Sequence, residues 1–200
     1  MLQLSDYLSY IPPSITSFEE PWLIPSQIPS MISNAINKLS PDEYIINNGN
    51  AVHRTATIEP GAILKSPFLI GPNCFIASGA YLRGGVWLDA DVIIGPACEI
   101  KSSLILKGSK AAHFNFIGDS VIGSDVNIEA GAIIANYRNE LACKEIVFFI
   151  DQKKITTGVD KFGAILGDEC KIGANAVLAP GTVLKPKTIV GRLALIDSSK

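Results

Sequence analysis

An aliphatic residue returns at every sixth position along most of the chain. From Ile70 the series runs Ile76, Leu82, Leu88, Ile94, Ile100 and Leu106. It resumes at Ile122, Ile128 and Ile134, and again at Leu166, Ile172, Leu178, Leu184 and Val190, while Val52, Ile58 and Leu64 extend it upstream. A period of six is neither the 3.6 of an amphipathic helix nor the simple alternation of an isolated strand. Four residues after the aliphatic stands a small or β-branched residue: Ala62, Cys74, Ala80, Val86, Val92, Cys98, Val126, Ala132, Cys170, Ala176, Thr182 or Thr188. Gly, Pro, Asn and Asp crowd the places between, where turns need them. Each hexad therefore predicts a very short strand and a turn, with the aliphatic side chain inward. Stacked units bury a column that no single unit could bury, which is the logic of a solenoid.

Three segments depart from the pattern. Residues 1–50 lack hexads, and Pro12, Pro13, Pro21, Pro25 and Pro29 divide their first part. Ser30 to Leu39 has helical spacing, and a small helical cap over the end of the solenoid is the expected role. Between Leu106 and Ile117 the register slips. Between Asn136 and Lys161 a longer insertion leaves the coil, and a hairpin-like loop is expected there. The domain plan is a cap over 1–50, a solenoid over 51–192 with an insertion at 137–161, and a tail over 193–200.

Composition narrows the function. Hydrophobic residues make up 48% of the chain, too many for a disordered one. The 17 basic and 19 acidic residues nearly cancel, so no global field recruits nucleic acid or a membrane surface. No apolar run is long enough to span a bilayer, and the first residues do not read as a secretory signal, so a cytoplasmic protein is expected. Cys74, Cys98 and Cys170 fall at the small-residue position and read as compact hydrophobes, while Cys143 lies outside the register. The chain has 2 histidines, one fewer than the three-histidine zinc site of hexapeptide carbonic anhydrases, and no metal is expected. His53 reads as a surface residue. His113 sits at the register break among Lys101, Lys107 and Lys110, and spacing alone divides evenly between a packed corner and a functional group.

The hexads resemble those of bacterial acyltransferases that fold as an all-β, single-stranded left-handed parallel β-helix, and the left hand is implied by that resemblance alone. A more specific likeness runs from Lys107 to Arg138 (Lys-Gly-Ser-Lys-Ala-Ala-His-Phe-Asn-Phe-Ile-Gly-Asp, then Asn-Ile-Glu-Ala-Gly-Ala-Ile-Ile-Ala-Asn-Tyr-Arg). It is similar to the acetyltransferase domain of the bifunctional enzymes that make UDP-N-acetylglucosamine, and to the tails of archaeal sugar-phosphate nucleotidyltransferases, over roughly residues 70 to 190.

The resemblance implies roles. His113 would be the base, Arg83, Lys101 and Lys161 would hold a sugar phosphate, and Asn127, Asn136 and Tyr137 would orient the acceptor. Ala130 and Ala174 would meet the donor, acetyl-CoA. An arginine fork and a lysine point charge suit a phosphate, and an ammonium must lose a proton before it attacks a thioester, which a histidine near neutrality can accept. Phe116 stands where the family has a tyrosine, and Glu129 where it has a glycine, so both are expected to change specificity. A homotrimer is also implied. The expected activity is N-acetylation of an amino-sugar phosphate, glucosamine 1-phosphate first, without a nucleotidyltransferase half, for which the 50 residues ahead of the hexads leave no room. Acylation of another amino sugar or nucleotide sugar, or a non-catalytic trimeric scaffold, are the alternatives.

Overall fold

The computed structural model describes residues 2–16 and 18–199. It is a parallel β-solenoid with one α-helix, α1 (Ile24–Ile36), near its start. Each coil passes through three faces, and equivalent residues of successive coils pair in parallel. The inward column of the first face is Val52, Ile70, Leu88, Ile105, Ile122, Leu166 and Leu184. The second carries Ile58, Ile76, Ile94, Ala111, Ile128, Ile172 and Val190. The third carries Leu64, Leu82, Ile100, Ile117, Ile134, Leu178 and Ile196. These columns form one continuous core, with Cys74, Cys98 and Cys170 buried at its corners. Burial pushes the Cys74 thiol up to about 11 and raises those of Cys98 and Cys170.

The register slip differs in detail from the sequence expectation. Ile105, not Leu106, enters the column, and Leu106 belongs to a second apolar cluster outside the coil. The long strand Glu99–Ile105 rounds the corner between the third and first faces with one residue fewer than Tyr81–Leu88, whose extra residue is absorbed between Arg83 and Val86. Two coils are thus 17 residues long, from Leu88 to Ile105 and from Ile105 to Ile122.

The second cluster explains residues 2–39. The outward row of the first face is apolar throughout: Ala51, Leu69, Trp87, Leu104, Val121, Ile165 and Val183. Strands that are apolar on both sides need a cover. The N-terminal segment supplies it, packing Leu4, Leu8, Ile15, Trp22, Ile28 and Ile32 against that row. The segment therefore lies along a side of the solenoid rather than over its end, where Ile58 of the second column remains 36% exposed. Asp168 pins the arm by accepting from the Ser9 N–H (2.7 Å) and hydroxyl (2.6 Å), and from the Ser124 N–H (2.8 Å).

The helix begins six residues before the expected Ser30, because Pro25 falls in the first turn, where its missing N–H costs nothing. Pro29 lies inside α1 and its ring is set against Gly85, where an added Cβ would come within 2.9 Å of Pro29 Cγ. Gly85 has φ +92°, so the corner needs glycine both for backbone and for space. The insertion does contain a hairpin, Val147–Ile150 with Lys153–Thr156. Its Phe148 is fully buried between Trp22 and Phe162, with ring centroids 5.9 Å away in each case.

Candidate functional site

The corner between the third and first faces gathers the residues that carry chemistry. One coil apart, Arg83 and Lys101 are register partners, and Asp119 follows 18 residues after Lys101. Asn136 comes 17 residues after Asp119, at the point where the insertion leaves the coil. Lys101 Nζ lies 2.5 Å from Asp119 Oδ2, and the Asn136 amide donates to the same oxygen. Arg83 donates to Glu99 Oε1 through Nε at 2.7 Å and through Nη2 at 2.6 Å. Both cations therefore carry a carboxylate partner, and the corner as a whole is charge-balanced.

Close backbone packing builds this cluster. A Cβ at Gly118 would stand 2.8 Å from Asn136 Cγ and 2.8 Å from the Phe116 ring, so glycine lets the three meet. Asp119 has φ +44°, an uncommon conformation for a side chain other than Gly, Asn or Asp, and is 7% exposed. Its N–H donates to Lys101 O and its carbonyl accepts from Gly163, both at 2.8 Å. Gly163 is where the chain re-enters the coil, so Asp119 touches both ends of the insertion. Tyr137 follows Asn136, 37% exposed, with Lys144 Nζ 5.3 Å above its ring. Lys161 is exposed beside the buried Phe162.

Arg138, the last residue of the Ala-Asn-Tyr-Arg run, points elsewhere. It is 4% exposed and makes a bidentate pair with Asp197 (2.7 and 3.2 Å), and donates to Pro180 O at 2.9 Å. It clamps the insertion to the last coil.

His113 lies on the corner between the second and third faces, exposed, next to Phe114, which is 67% exposed with φ +54°. Gly131 N–H donates to His113 O at 2.9 Å, and Asn175 N–H to Ala130 O at 3.0 Å, so Ala130 and Ala174 occupy the same edge. Among the described residues, no hydrogen bond or ion pair joins His113 to Lys101 or Asn136 within one chain. Their two edges bound the third face, whose outward row is Ile63, Tyr81, Glu99, Phe116, Ile133, Val177 and Leu195.

Asn127 sits on the outward row of the second face between Lys110 and Lys171. Glu129 follows it, held by Arg192 through a fork of two 2.9 Å bonds and by the Ala174 N–H at 2.8 Å. The Arg192 guanidinium, then the Ala174 N–H, keep the Glu129 carboxyl below its ordinary range. A shallow hollow of about 240 Å³ opens here, with Lys171 and Arg192 on its wall. Among the described residues, no three His, Cys, Asp or Glu side chains are grouped to hold a metal, and no helix is long and apolar enough to cross a membrane.

Sequence reasoning missed Glu99, Asp119 and Arg192, the partners of three residues it singled out. The signal was present: a coil of 17 or 18 residues places 83, 101, 119 and 136 on one edge.

Comparison with known proteins agrees with the architecture. The family described as the GMPPB C-terminal domain matches residues 83–199. A bifunctional sugar-1-phosphate nucleotidylyltransferase/acetyltransferase of Sulfurisphaera tokodaii is 42% identical over 74 residues, covering 37% of this chain and 18% of that protein. The bifunctional protein GlmU of Methanococcus vannielii is 36% identical over 89 residues, covering 44% and 21%. The one from Neisseria gonorrhoeae is 38% identical over 84 residues, covering 42% and 14%. The matched stretches thus span about a fifth or less of those relatives. Among solved structures, the N-acyltransferase AntD from Bacillus cereus aligns at 17% identity and TM-score 0.41, over 74% of this chain and 70% of that one. The left-handed hexapeptide β-helix of GlmU-type acetyltransferase tails is the class that these sequences and the three-faced coil share.

Proposed function

The chain belongs to the family of the GMPPB C-terminal domain, and from that premise we propose that it is an acyl-CoA-dependent acyltransferase acting on an amino-sugar phosphate. Acetyl-CoA is the proposed donor and glucosamine 1-phosphate the first acceptor to try. The observation that carries the reading is the corner at Lys101, Asp119 and Asn136, beside Arg83 and at the mouth of the insertion. Lys101 has two further N–H donors after Asp119 takes one, and Arg83 is about one-third exposed, so both can face a phosphate. Tyr137 and Lys161, at the two ends of the insertion, are proposed to complete the acceptor pocket. On the second face, Lys171 and Lys110 make no ion pair among the described residues and suit the phosphates of a coenzyme A donor. Ala130 and Ala174 are proposed to flank the thioester.

His113 is proposed as the base. It stands on the opposite edge of the third face from Lys101, so a second copy docked on that face would bring one chain's histidine toward its neighbour's acceptor corner. A homotrimer with shared sites is therefore part of the proposal. In the reaction the acceptor ammonium gives one proton to His113, and the free amine attacks the thioester carbonyl. The tetrahedral adduct collapses with cleavage of the C–S bond as the second nitrogen proton passes to the departing sulfur, leaving the amide and coenzyme A thiol.

A second reading has its own observation. Glu129 already occupies the Ala174 N–H, a group a thioester would need, and Arg192 locks it there. This favours a scaffold that retains the coil without turnover. Free coenzyme A release from acetyl-CoA with glucosamine 1-phosphate separates the two. We expect release from wild type, and a drop of roughly 10²-fold or more in His113→Ala. Folded wild type that releases none with a panel of amino sugars, and binds no coenzyme A, would establish the scaffold.

A further inference from the structure

A cavity of about 480 Å³ lies between the N-terminal arm, α1 and the first face, away from the corner at Lys101. Its floor is apolar, formed by Met31, Trp87 and Leu106. Its rim carries Asn34, Lys38 and Asp89, whose side chains make no hydrogen bond or ion pair among the described residues. Ser14 also lines it, with its hydroxyl closed off from solvent and, among the described residues, without a hydrogen-bond partner. A buried hydroxyl left unpaired is costly, and such groups call for a reason. The size falls in the range of small-molecule sites, which pair apolar walls with a few convergent polar groups.

We propose that this cavity is a binding site for a nucleoside 5′-monophosphate. The floor offers flat apolar contact. A pyranose, with hydroxyls on every edge, would leave most of them unpaired there. A planar heterocycle instead presents two apolar faces, one of which rests on the Trp87 indole. The attached sugar then falls at the rim, where the Asp89 carboxylate accepts from a vicinal diol and Asn34 adds a donor and an acceptor. The 5′-phosphate meets Lys38 Nζ. The site does not depend on the acyl-transfer reading. It shares with it the strand Tyr81–Leu88, which carries Arg83 at one end and Trp87 four residues on.

Ser14→Ala is the stability control, because it removes a hydroxyl that is unpaired among the described residues and closed off from the cavity. The free variant should melt no lower than wild type and bind nucleotide equally well. Wild type is titrated with AMP and UMP by calorimetry and by indole fluorescence, with glucose 1-phosphate as the control that lacks a heterocycle. Saturable nucleotide binding is expected, weakened about tenfold by Lys38→Glu, an exposed position whose replacement leaves the fold intact. Trp87→Phe should abolish the fluorescence response, since Trp22, the other of the 2 tryptophans, is buried at 7% exposure. Arg192→Ala, in the donor hollow, should leave nucleotide affinity unchanged. The proposal is overturned by an absence of nucleotide binding at millimolar concentration, by equal binding of glucose 1-phosphate, or by affinity that Lys38→Glu leaves intact.

Discussion

Asp119 receives a lysine from the preceding coil and an asparagine from the following one on a single carboxylate oxygen. Asn at this position would tolerate the positive φ and keep an acceptor, but not the charge that holds a largely buried lysine in place. Asp119→Asn should therefore raise the acceptor KM by about tenfold, with kcat changed less, since a hydrogen bond to a charged group contributes roughly 1.5–3 kcal/mol. Steady-state kinetics across the acceptor range check this. A lower KM would mean that the carboxylate opposes the phosphate and positions nothing. The cysteines give a second residue-scale outcome. Burial raises the thiols of Cys74, Cys98 and Cys170, whereas Cys143 is exposed. Since only thiolates react, a disulfide reagent should modify one thiol promptly in the native protein and four after denaturation.

At the scale of elements, α1 makes a close contact with the solenoid at Gly85. Gly85→Ala adds a Cβ against the Pro29 ring and forces a side chain to φ +92°; Gly158→Ala imposes only the positive φ of +71°, with open space around it. Denaturant unfolding should show a loss of about 2 kcal/mol or more for the first and about 1 kcal/mol for the second. Equal losses would show that the backbone, not the helix contact, sets the cost. The same elements show what the sequence could disclose. The inward columns were legible because an aliphatic side chain repeating every six residues leaves its mark in the spacing along the chain. The start of α1 was not, because Pro25 and Pro29 read as breakers until their places, in the first turn and over a glycine, are known. Leu106 was assigned to the column because a constant step of six was assumed, and the five-residue step from Ile100 to Ile105 is visible only in the strand pairing. The pairing of Lys101 with Asp119 was hidden for the same reason: it requires the length of a coil, not of a hexad. The outward apolar row beneath the cap could have been read directly, as a β-rich residue before each aliphatic of one face.

For the whole molecule, two clasps close the solenoid, and they respond to different tests. The Arg138–Asp197 pair joins the insertion to the last coil, and the guanidinium holds the Asp197 carboxyl far below its ordinary value. A depressed folded value means that the stabilisation is complete above the unfolded carboxylate pKa of about 3.9 and is lost as pH falls through the folded value. Asp197→Asn should thus melt below wild type at pH 7, and the gap should narrow as the pH drops under about 4. A gap independent of pH would assign the effect to packing. The other clasp is between copies. One face is covered by the cap and hairpin, whereas the third keeps Ile63, Val177 and Leu195 at 51%, 38% and 65% exposure along its outward row. Exposed apolar residues of that kind, in a row that Glu99 alone charges, mark an interaction surface. On the proposed trimer it is the surface that joins the His113 edge of one chain to the Lys101 edge of the next. Val177→Glu places a charge in the apolar end of that row, so light scattering should report a shift from trimer to monomer. Acyl transfer should fall with it, while the melting of the separated chain should reflect only the lost interface. A variant that remains trimeric with full activity would move the interface to the second face and would leave His113 without a route to the acceptor corner.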